Sequence, residues 1–210
     1  RDAVKKGASA VIGSRQDIHT EVPYILVPDG RAALAEVSAA FYNHPSQSLT
    51  VVGVTGTDGK TTTTNFIYQC LLLAGIPVGM ISTVNAVIGD TVLDTGFHVT
   101  TPEAPDVQRY LAQMVDAGLT HVVLEVTSHG LEQKRVSHCN FDIGVVTNIV
   151  HEHLDYHGSY QNYLQAKQIL FDELSVTETK PHGNPRLAVL NADDKSFNHL
   201  QNVLSELDGV

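Results

Sequence analysis

The 210-residue sequence has only two cysteines, Cys70 and Cys139, and little positive charge. Two cysteines cannot form a disulfide framework or a four-cysteine zinc site. The 13 basic and 23 acidic residues give a formal charge of −10, so the overall field repels nucleic acid and anionic membranes. A secretory signal and a run of about 18 apolar residues are also missing. We therefore expect a cytoplasmic protein without nucleic-acid partners or membrane insertion, in which any phosphate ligand needs a dedicated local site.

Apolar runs typical of strands alternate with segments of helical periodicity. Strands are predicted at 49–55, 121–126, 141–149 and 186–190. Strands that read as apolar on both faces are typical of a parallel sheet, so the pattern predicts an α/β fold with a mainly parallel sheet flanked by helices. Residues 82–99 are predicted to form a hairpin or loop.

Three helices are predicted between these strands. One follows Gly59, one spans about 102–117, and one begins at Ser159. Thr100 to Glu103 has the form of a capping box with a proline just inside the helix. The first of these helices is indicated by the spacing of its apolar residues: Phe66, Ile67, Cys70, Leu71 and Ala74.

The N-terminal part has a weaker pattern, with strand-like segments at 10–12 and 24–27 and a helix at 31–42. We expect residues 1–46 to be the last part of a small N-terminal domain and residues 47–210 to be a truncated second domain. The sequence starts at Arg1 without an initiator methionine, and we expect it to be a piece of a longer protein.

A glycine-rich loop lies where the strand at 49–55 turns into a helix. Glycines let the backbone approach phosphate oxygens, and Lys60 and Thr61 can contact the terminal phosphates and Mg²⁺. The strict G-x-x-x-x-G-K-[ST] pattern needs glycine where Val54 stands, so an ordinary glycine-rich turn is the alternative. The loop predicts ATP binding by Gly56, Thr57, Asp58, Gly59, Lys60, Thr61 and Thr62.

Two polar residues are expected at the carboxyl ends of strands, where open parallel sheets bind ligands. Glu125 stands inside an apolar run, and Asn148 ends the next strand along the chain. A buried carboxylate needs a cation or a hydrogen-bond donor. Mg²⁺ bound to a triphosphate is one such partner for Glu125, and a structural salt bridge is the alternative.

The densest group of metal-ligating residue types is His151, His153, Asp155 and His157. Its spacing nearly matches the H-x-H-x-D-H run of metallo-β-lactamase-fold hydrolases, which makes a binuclear metal hydrolase an alternative function. Tyr156 breaks that register, and such hydrolases do not need a phosphate loop. For His151 and His157, a solvent-exposed loop is the simpler interpretation.

Lys167 falls in the apolar stripe of the helix that begins at Ser159, four residues after Tyr163 and four before Phe171. Such a lysine usually extends its amine to water. If the amine is buried instead, its pKa falls, and the neutral amine can capture CO₂ as a carbamate. That anion could hold a second Mg²⁺.

Taken together, these segments resemble the Mur ligases, the ATP-dependent amide-bond-forming enzymes of peptidoglycan synthesis. The similarity is greatest to the MurE branch, which forms the UDP-N-acetylmuramoyl tripeptide. It extends from about Ala32 to Asp194 and rests on four segments: VGVTGTDGKTTT at 52–63, TTPEAPDVQRYLAQMVDAG at 100–118, HVVLEVTSHGLEQKRV at 121–136, and FDIGVVTNIVHEHLDYHGSYQNYLQAKQILFDEL at 141–174.

The resemblance implies a reaction and a set of roles. A substrate carboxylate attacks the γ-phosphate of ATP to form an acyl phosphate, and the amine of an incoming amino acid displaces phosphate. Lys60, Glu125, His153 and Lys167 would be catalytic. One Mg²⁺ would be ligated by Thr61 and Glu125, and a second by His153 and carbamylated Lys167. Asn148 would lie near the nucleotide. The UDP-muramoyl dipeptide would be contacted by Thr100, Thr101, Thr127, Gln133 and Arg135.

Some features set limits on that resemblance. Val99 and Thr127 replace the asparagine and serine that are usual in the family. The C-terminal domain, which would select the amino acid, would follow residue 210, so we expect this chain alone, a monomer, not to ligate. Alternatives with a related central domain are cyanophycin synthetase, folylpolyglutamate synthase and a non-catalytic ATP-binding module. A glutaminase-coupled subunit typically needs a four-cysteine zinc ribbon, which two cysteines cannot build.

Overall fold

The computed structural model describes residues 2–94, 101–150, 152, 154–207 and 209–210. This part of the chain contains nine strands: β1 (Val11–Gly13), β2 (Tyr24–Leu26), β3 (Thr50–Thr55), β4 (Val78–Ile81), β5 (Asn85–Ile88), β6 (Thr91–Asp94), β7 (His121–Glu125), β8 (Ile143–Val146) and β9 (Leu187–Leu190). They form a parallel two-stranded sheet, β1-β2, and a seven-stranded sheet in the order β6-β5-β4-β7-β3-β8-β9.

Within the larger sheet, β4, β7, β3, β8 and β9 are parallel, and β5 and β6 add an antiparallel hairpin at one edge. The α/β class with a mainly parallel sheet is thus confirmed. The hairpin accounts for the part of 82–99 that the structure describes. The two central strands, β3 and β7, carry the residues that matter for the site.

Helices flank both faces of the sheet. They are α1 (Asp2–Lys5), α2 (Gly30–Phe41), α3 (Lys60–Leu73), α4 (Ala104–Asp116), α5 (Ser128–Glu132), α6 (Leu154–His157), α7 (Tyr160–Ser175) and α8 (Phe197–Glu206), with a 3₁₀ turn at Pro45–Ser48. Parallel strands need crossover connections, and α3, α4 and α7 supply them between β3 and β4, between the β5-β6 hairpin and β7, and between β8 and β9.

Side chains along β7 alternate between the two faces of the sheet, as the pleat requires. Val123 packs on the face that α3 covers, in a cluster with Val52, Val54 and Tyr68. Val122 and Leu124 point to the opposite face and join the larger core with residues of α4, α7 and α8. Glu125, the last residue of β7, is 1% exposed despite its charge.

The helix predicted after Gly59 is present as α3, and only some of its apolar residues face the sheet. The buried residues of α3 are Thr64 and Tyr68, whereas Phe66 is 67% exposed and Cys70 is also exposed. Ile67 and Leu71 pack against the same cluster as Tyr68, so the apolar spacing identified only part of the face that meets the sheet.

The predicted capping box before α4 is absent. Glu103 is the N-cap and makes no side-chain capping hydrogen bond, and the proline inside the helix is Pro105. The hydroxyl of Thr101 is engaged instead with Thr127, across the sheet edge. Thr100 lies outside the described residues.

The proposed boundary at residue 46 stays a prediction. The structure places it inside the 3₁₀ turn at Pro45–Ser48, between α2 and β3. The small β1-β2 sheet precedes that turn, and the seven-stranded sheet begins after it.

Candidate nucleotide and metal site

The glycine-rich loop joins the end of β3 to the start of α3, at the carboxyl edge of the sheet. Gly56 has φ of +148°, and a Cβ built on it would lie 1.9 Å from Oγ1 of Thr147. Gly59 is the N-cap of α3 with φ of +79° and offers no side-chain cap. The amides of the first turn of α3 are therefore left to an external acceptor, and a helix N-terminus of this kind favours phosphate.

Lys60 lies at the first position of α3 and folds back over the loop. Its Nζ donates to the carbonyl oxygens of Gly56 and Thr57, at 3.0 and 2.6 Å. The ammonium group is thus held beside the amides of the same turn. A phosphate entering the loop would meet both the amides and this charge, and would compete with the two carbonyls for the lysine.

Asn148 fixes the shape of the loop. Its Oδ1 accepts from the amide of Asp58 at 3.0 Å, and its Nδ2 donates to the carbonyl of the same residue at 3.1 Å. The backbone oxygen of Asn148 also accepts from the amide of Thr57 at 2.8 Å. Thr147 adds a hydrogen bond from its hydroxyl to the Asp58 carbonyl at 2.7 Å. The sequence placed Asn148 near a nucleotide, and the structure gives it a direct part in holding the loop.

Glu125 and Thr61 meet at the mouth of the loop. The Thr61 hydroxyl lies 3.0 and 3.1 Å from the two carboxylate oxygens of Glu125, and the amide of Thr83 donates to one of them at 3.0 Å. The carboxylate is buried without a cationic partner among these contacts. Hydroxyl and carboxylate oxygens are the ligands that Mg²⁺ prefers, so this pair fits that ion.

The described residues hold no group of three or more histidine, cysteine, aspartate or glutamate side chains that could bind a metal. A magnesium site does not require such a group. Mg²⁺ is usually held by one or two carboxylates and completed by phosphate oxygens and water. His153, the expected ligand of a second ion, lies outside the described residues, as does His151.

Lys167 is buried in α7, with 1% of its surface exposed. Its Nζ donates to the carbonyl oxygen of Gly56 at 2.7 Å and lies 4.5 Å from the centre of the Tyr163 ring. Burial lowers the pKa of this amine to about 7, and the nearby Lys60 charge adds to the decrease. The amine does not extend to water, so it meets the first condition for carbamate formation.

Four of the five predicted substrate residues lie together beside the end of β7. The hydroxyls of Thr101 and Thr127 are 3.1 Å apart, and the Thr101 carbonyl accepts from Nη1 of Arg135 at 2.8 Å. Gln133 Oε1 accepts from Nε and Nη2 of Arg135. Glu103 contributes a carboxylate oxygen 3.0 Å from Arg135 Nη2. The guanidinium group is therefore oriented by its neighbours and already pairs with one carboxylate.

His157 is not on a solvated loop, contrary to the simpler interpretation of the sequence. It is 5% exposed and packs between α5 and α7. Asp155 of the same cluster is exposed. The alternation of polar residues from 151 to 157 gave no sign of this burial, because the partners of His157 come from distant parts of the chain.

Sequence reasoning missed several residues that shape this region. The amide of Thr83 donates to Glu125, and the hydroxyl of Thr147 donates to the Asp58 carbonyl of the loop. The hydroxyl of Tyr163 lies 3.2 Å from that of Thr57. Thr147 directly precedes Asn148, so its place at the end of β8 was a usable signal. Tyr163 was counted only as an apolar residue of α7, although its phenol carries a polar group that needs a partner when buried.

Comparison with known proteins agrees with this arrangement. Residues 54–208 match the model of the Mur ligase middle domain. That match covers most of the chain and includes the loop, Glu125 and Lys167. The chain belongs to the Mur ligase family. The histidine cluster at 151–157 is therefore part of a Mur ligase domain, and the binuclear metal hydrolase is no longer an alternative.

Two named relatives illustrate this similarity. The chain is 44% identical over 192 residues to the UDP-N-acetylmuramoyl-L-alanyl-D-glutamate–2,6-diaminopimelate ligase of Geobacillus thermodenitrificans, covering 91% of this chain and 38% of that protein. It is 44% identical over 179 residues to the UDP-N-acetylmuramyl-tripeptide synthetase of Treponema pallidum, covering 83% and 33%. The chain thus spans about two fifths or less of the curated relatives it matches.

A solved structure of a UDP-N-acetylmuramoyl-L-alanyl-D-glutamate–2,6-diaminopimelate ligase has the same fold. It superimposes with a TM-score of 0.81 at 28% identity and covers 98% of this chain and 39% of that one. Among the described residues of the present chain, no helix has the length and apolar character needed to cross a membrane.

Proposed function

We propose that this chain is the ATP-binding part of a ligase that adds the third amino acid to UDP-N-acetylmuramoyl-L-alanyl-D-glutamate in peptidoglycan synthesis. The observation that carries the proposal is the meeting of Lys60, Thr61 and Glu125 at the mouth of a loop formed by a strand and a helix N-terminus. These groups suit a magnesium-bound triphosphate. The relatives' printed names supply the substrate class.

The proposed reaction transfers the γ-phosphoryl group of ATP to a carboxylate of the dipeptide. A bond forms between the carboxylate oxygen and phosphorus as the bond to ADP breaks. The amine of the third amino acid then attacks the acyl carbon, loses a proton, and displaces phosphate. Charge accumulates on the transferring group, so positioned cations and amides are the main means of acceleration.

Lys60 and the amides of the loop would hold the β- and γ-phosphates, with Gly56, Thr57, Asp58, Gly59 and Thr62 forming the rest of the cradle. Asn148 would keep the cradle open by bonding both backbone groups of Asp58. Thr61 and Glu125 would hold Mg²⁺. When bound there, the ion would neutralise phosphate charge and polarise the phosphoryl group.

Lys167 would serve a second Mg²⁺ as a carbamate, together with His153. In that modification the neutral amine forms a nitrogen–carbon bond to CO₂ and releases one proton. The buried position and the lowered pKa support this role because they keep much of the amine neutral near pH 7. The carbamate would lie beside the loop carbonyl that the amine now contacts.

Arg135, held by Gln133 and by the Thr101 carbonyl, would bind a carboxylate or phosphate of the dipeptide substrate through its planar fork. Thr100, Thr101 and Thr127 would contact the same substrate. The names of the relatives at 44% identity favour this substrate over the cyanophycin and folylpolyglutamate alternatives, and diaminopimelate is our first candidate for the added amino acid.

The decisive experiment measures phosphate release by the full-length protein with ATP, Mg²⁺ and UDP-N-acetylmuramoyl-L-alanyl-D-glutamate, while single amino acids are varied. We expect release only when both the dipeptide and one amino acid are present, with meso-diaminopimelate tested against lysine. Release with folate or with aspartate-arginine polymers would favour the alternatives, and no release with any acceptor would favour a non-catalytic module. The 210-residue chain alone should bind ATP without releasing phosphate.

A further inference from the structure

His157 is a buried imidazole for which the proposed reaction has no use. It ends α6 and packs between α5 and α7, with its ring centre 5.1 Å from that of Tyr163 and 5.3 Å from that of His129. Its Nε2 lies 3.0 Å from Oγ of Ser128. Its Nδ1 is 3.5 Å from a carboxylate oxygen of Glu132 and makes no hydrogen bond within the described part of the chain.

The two contacts of His157 lead to opposite halves of the candidate site. Ser128 directly follows Thr127, whose hydroxyl caps α5 through Gly130 and contacts Thr101. That is the side assigned to the dipeptide. Tyr163, on the other side of the imidazole, lies under the Lys167 amine and touches the Thr57 hydroxyl of the loop. The imidazole therefore contacts both of the helices that carry these groups.

Packing alone is a poor reason for an imidazole at this position. A buried polar ring loses its hydration, and one nitrogen here lacks a good hydrogen bond, so an apolar aromatic ring of similar size would fill the space at lower cost. The hydrogen-bond contact with Ser128 explains why the ring is polar. It fixes the first turn of α5, which is too short to hold its own orientation.

We propose that His157 is a positioning residue, which sets the dipeptide-binding end of α5 against the helix that carries Lys167. It acts through the Ser128 hydroxyl on one side and the Tyr163 ring on the other. This inference rests on the proposed ligase function, since it concerns the relative placement of that function's two substrate sites.

The test uses the full-length protein with His157→Phe, which keeps a ring against Tyr163 and removes the hydrogen bond to Ser128. We expect the KM for the UDP-dipeptide to rise about fivefold, as expected for one lost hydrogen bond. The KM for ATP should stay within about twofold, because Lys60 and Asn148 hold the loop without help from His157. His157→Gln should recover part of the dipeptide KM, since an amide can still bond the Ser128 hydroxyl.

Two further variants show whether the Ser128 contact is the cause. Ser128→Ala should reproduce the rise in dipeptide KM, and the double variant with His157→Phe should be no worse than either single one, because both remove the same bond. His157→Leu, which also removes the ring, should in addition lower kcat through the Tyr163 side. His182→Gln, an exposed histidine that contacts only the start of β3 among the hydrogen bonds described, should match the wild type.

The outcomes separate this inference from the function on which it rests. If the wild type turns over and His157→Phe has the same kcat and KM values, the positioning role is overturned and the proposed function is not. A fall in kcat with both KM values unchanged would overturn the positioning role too, because it would indicate only a smaller folded fraction. Absence of wild-type turnover with any amino acid would overturn the proposed function and this inference together.

Discussion

The side-chain amines of Lys60 and Lys167 donate hydrogen bonds to the same acceptor, the carbonyl oxygen of Gly56, at 3.0 and 2.7 Å. Both amines therefore meet on one loop carbonyl, and the nearby Lys60 charge helps to lower the pKa of Lys167. A bound phosphate would offer Lys60 a stronger, charged acceptor. The state of Lys167 and the occupation of the loop are thus linked through a single backbone atom.

Lys60→Ala should nearly abolish nucleotide binding by the 210-residue chain. The variant loses the ammonium group that donates to the carbonyls of Gly56 and Thr57. Loss of charge-assisted contacts worth about 2–3 kcal/mol weakens affinity roughly 30- to 150-fold. Titration with a fluorescent ATP analogue in the presence of Mg²⁺ measures the effect. Lys195→Ala, at an exposed position, serves as the charge-matched control. Equal affinities in the two variants would remove the phosphate-loop assignment.

Gly56→Ala should destabilise the chain by about 3 kcal/mol, since the new Cβ would meet Thr147 Oγ1 and the backbone is in a region that favours glycine. Gly89→Ala is the matched control, because Gly89 also has positive φ but no atom within 4 Å of a built Cβ. It should cost about 1 kcal/mol. Urea unfolding of both variants gives the difference.

A second substitution tests the cause of that loss. Thr147→Ala, added to Gly56→Ala, removes the clashing oxygen and should restore the part of the stability that overpacking cost. Equal destabilisation by Gly56→Ala and Gly89→Ala would show that the loop tolerates the added methyl group, and the close approach of β8 to the loop would then have no energetic consequence.

The parts of this site that follow from local sequence were predictable. The loop is contiguous, so its glycines, Lys60 and Thr61 identify it without knowledge of the fold. Glu125 was recognisable because a charge within an apolar strand needs a partner. The stripe of α7 was recognisable because Lys167 falls at helical spacing among residues that are all buried.

The remaining features depend on distant segments brought together by the sheet. The bonds from Asn148 to Asp58 join residues 90 apart in sequence, and Thr101 meets Thr127 only because α4 begins beside the end of β7. Periodicity is only partly informative on α3, where Ile67 and Leu71 pack with Tyr68 against the sheet but Phe66 faces solvent. A helix with apolar residues on several faces does not reveal which one is buried.

Tyr163→Phe should weaken nucleotide binding about fivefold, since it removes the hydroxyl beside Thr57 and keeps the ring under Lys167. Tyr163→Leu should weaken binding at least as much and also lower the free energy of unfolding by about 2 kcal/mol, because the ring is buried in the core. Nucleotide titration and urea unfolding measure the two effects. Tyr24→Phe, which removes a hydroxyl bond to the Arg15 carbonyl in the small sheet, should leave nucleotide affinity unchanged. If Tyr163→Phe behaves as Tyr24→Phe does, the phenol has no part in holding the loop.

The pH dependence of stability should change when Lys167 is replaced by methionine, which is close in length and does not titrate. Burial lowers the pKa of the Lys167 amine from 10.5 to about 7 in the folded chain. Between these two values the unfolded chain binds a proton that the folded chain does not, so the free energy of unfolding rises with pH. Below pH 7 the amine is protonated in both states, and the folded chain bears the full cost of a buried charge.

Wild type should therefore gain stability relative to Lys167→Met as the pH rises from about 6.5 to 9.5. Urea unfolding in CO₂-depleted buffer measures this difference without interference from carbamate. Lys195→Met, at an exposed position, should show a constant difference from the wild type over the same range. A difference between wild type and Lys167→Met that does not vary with pH would mean that the amine keeps its ordinary pKa. The chain would then hold little neutral amine near pH 7, and the proposed carbamate would lose its physical basis.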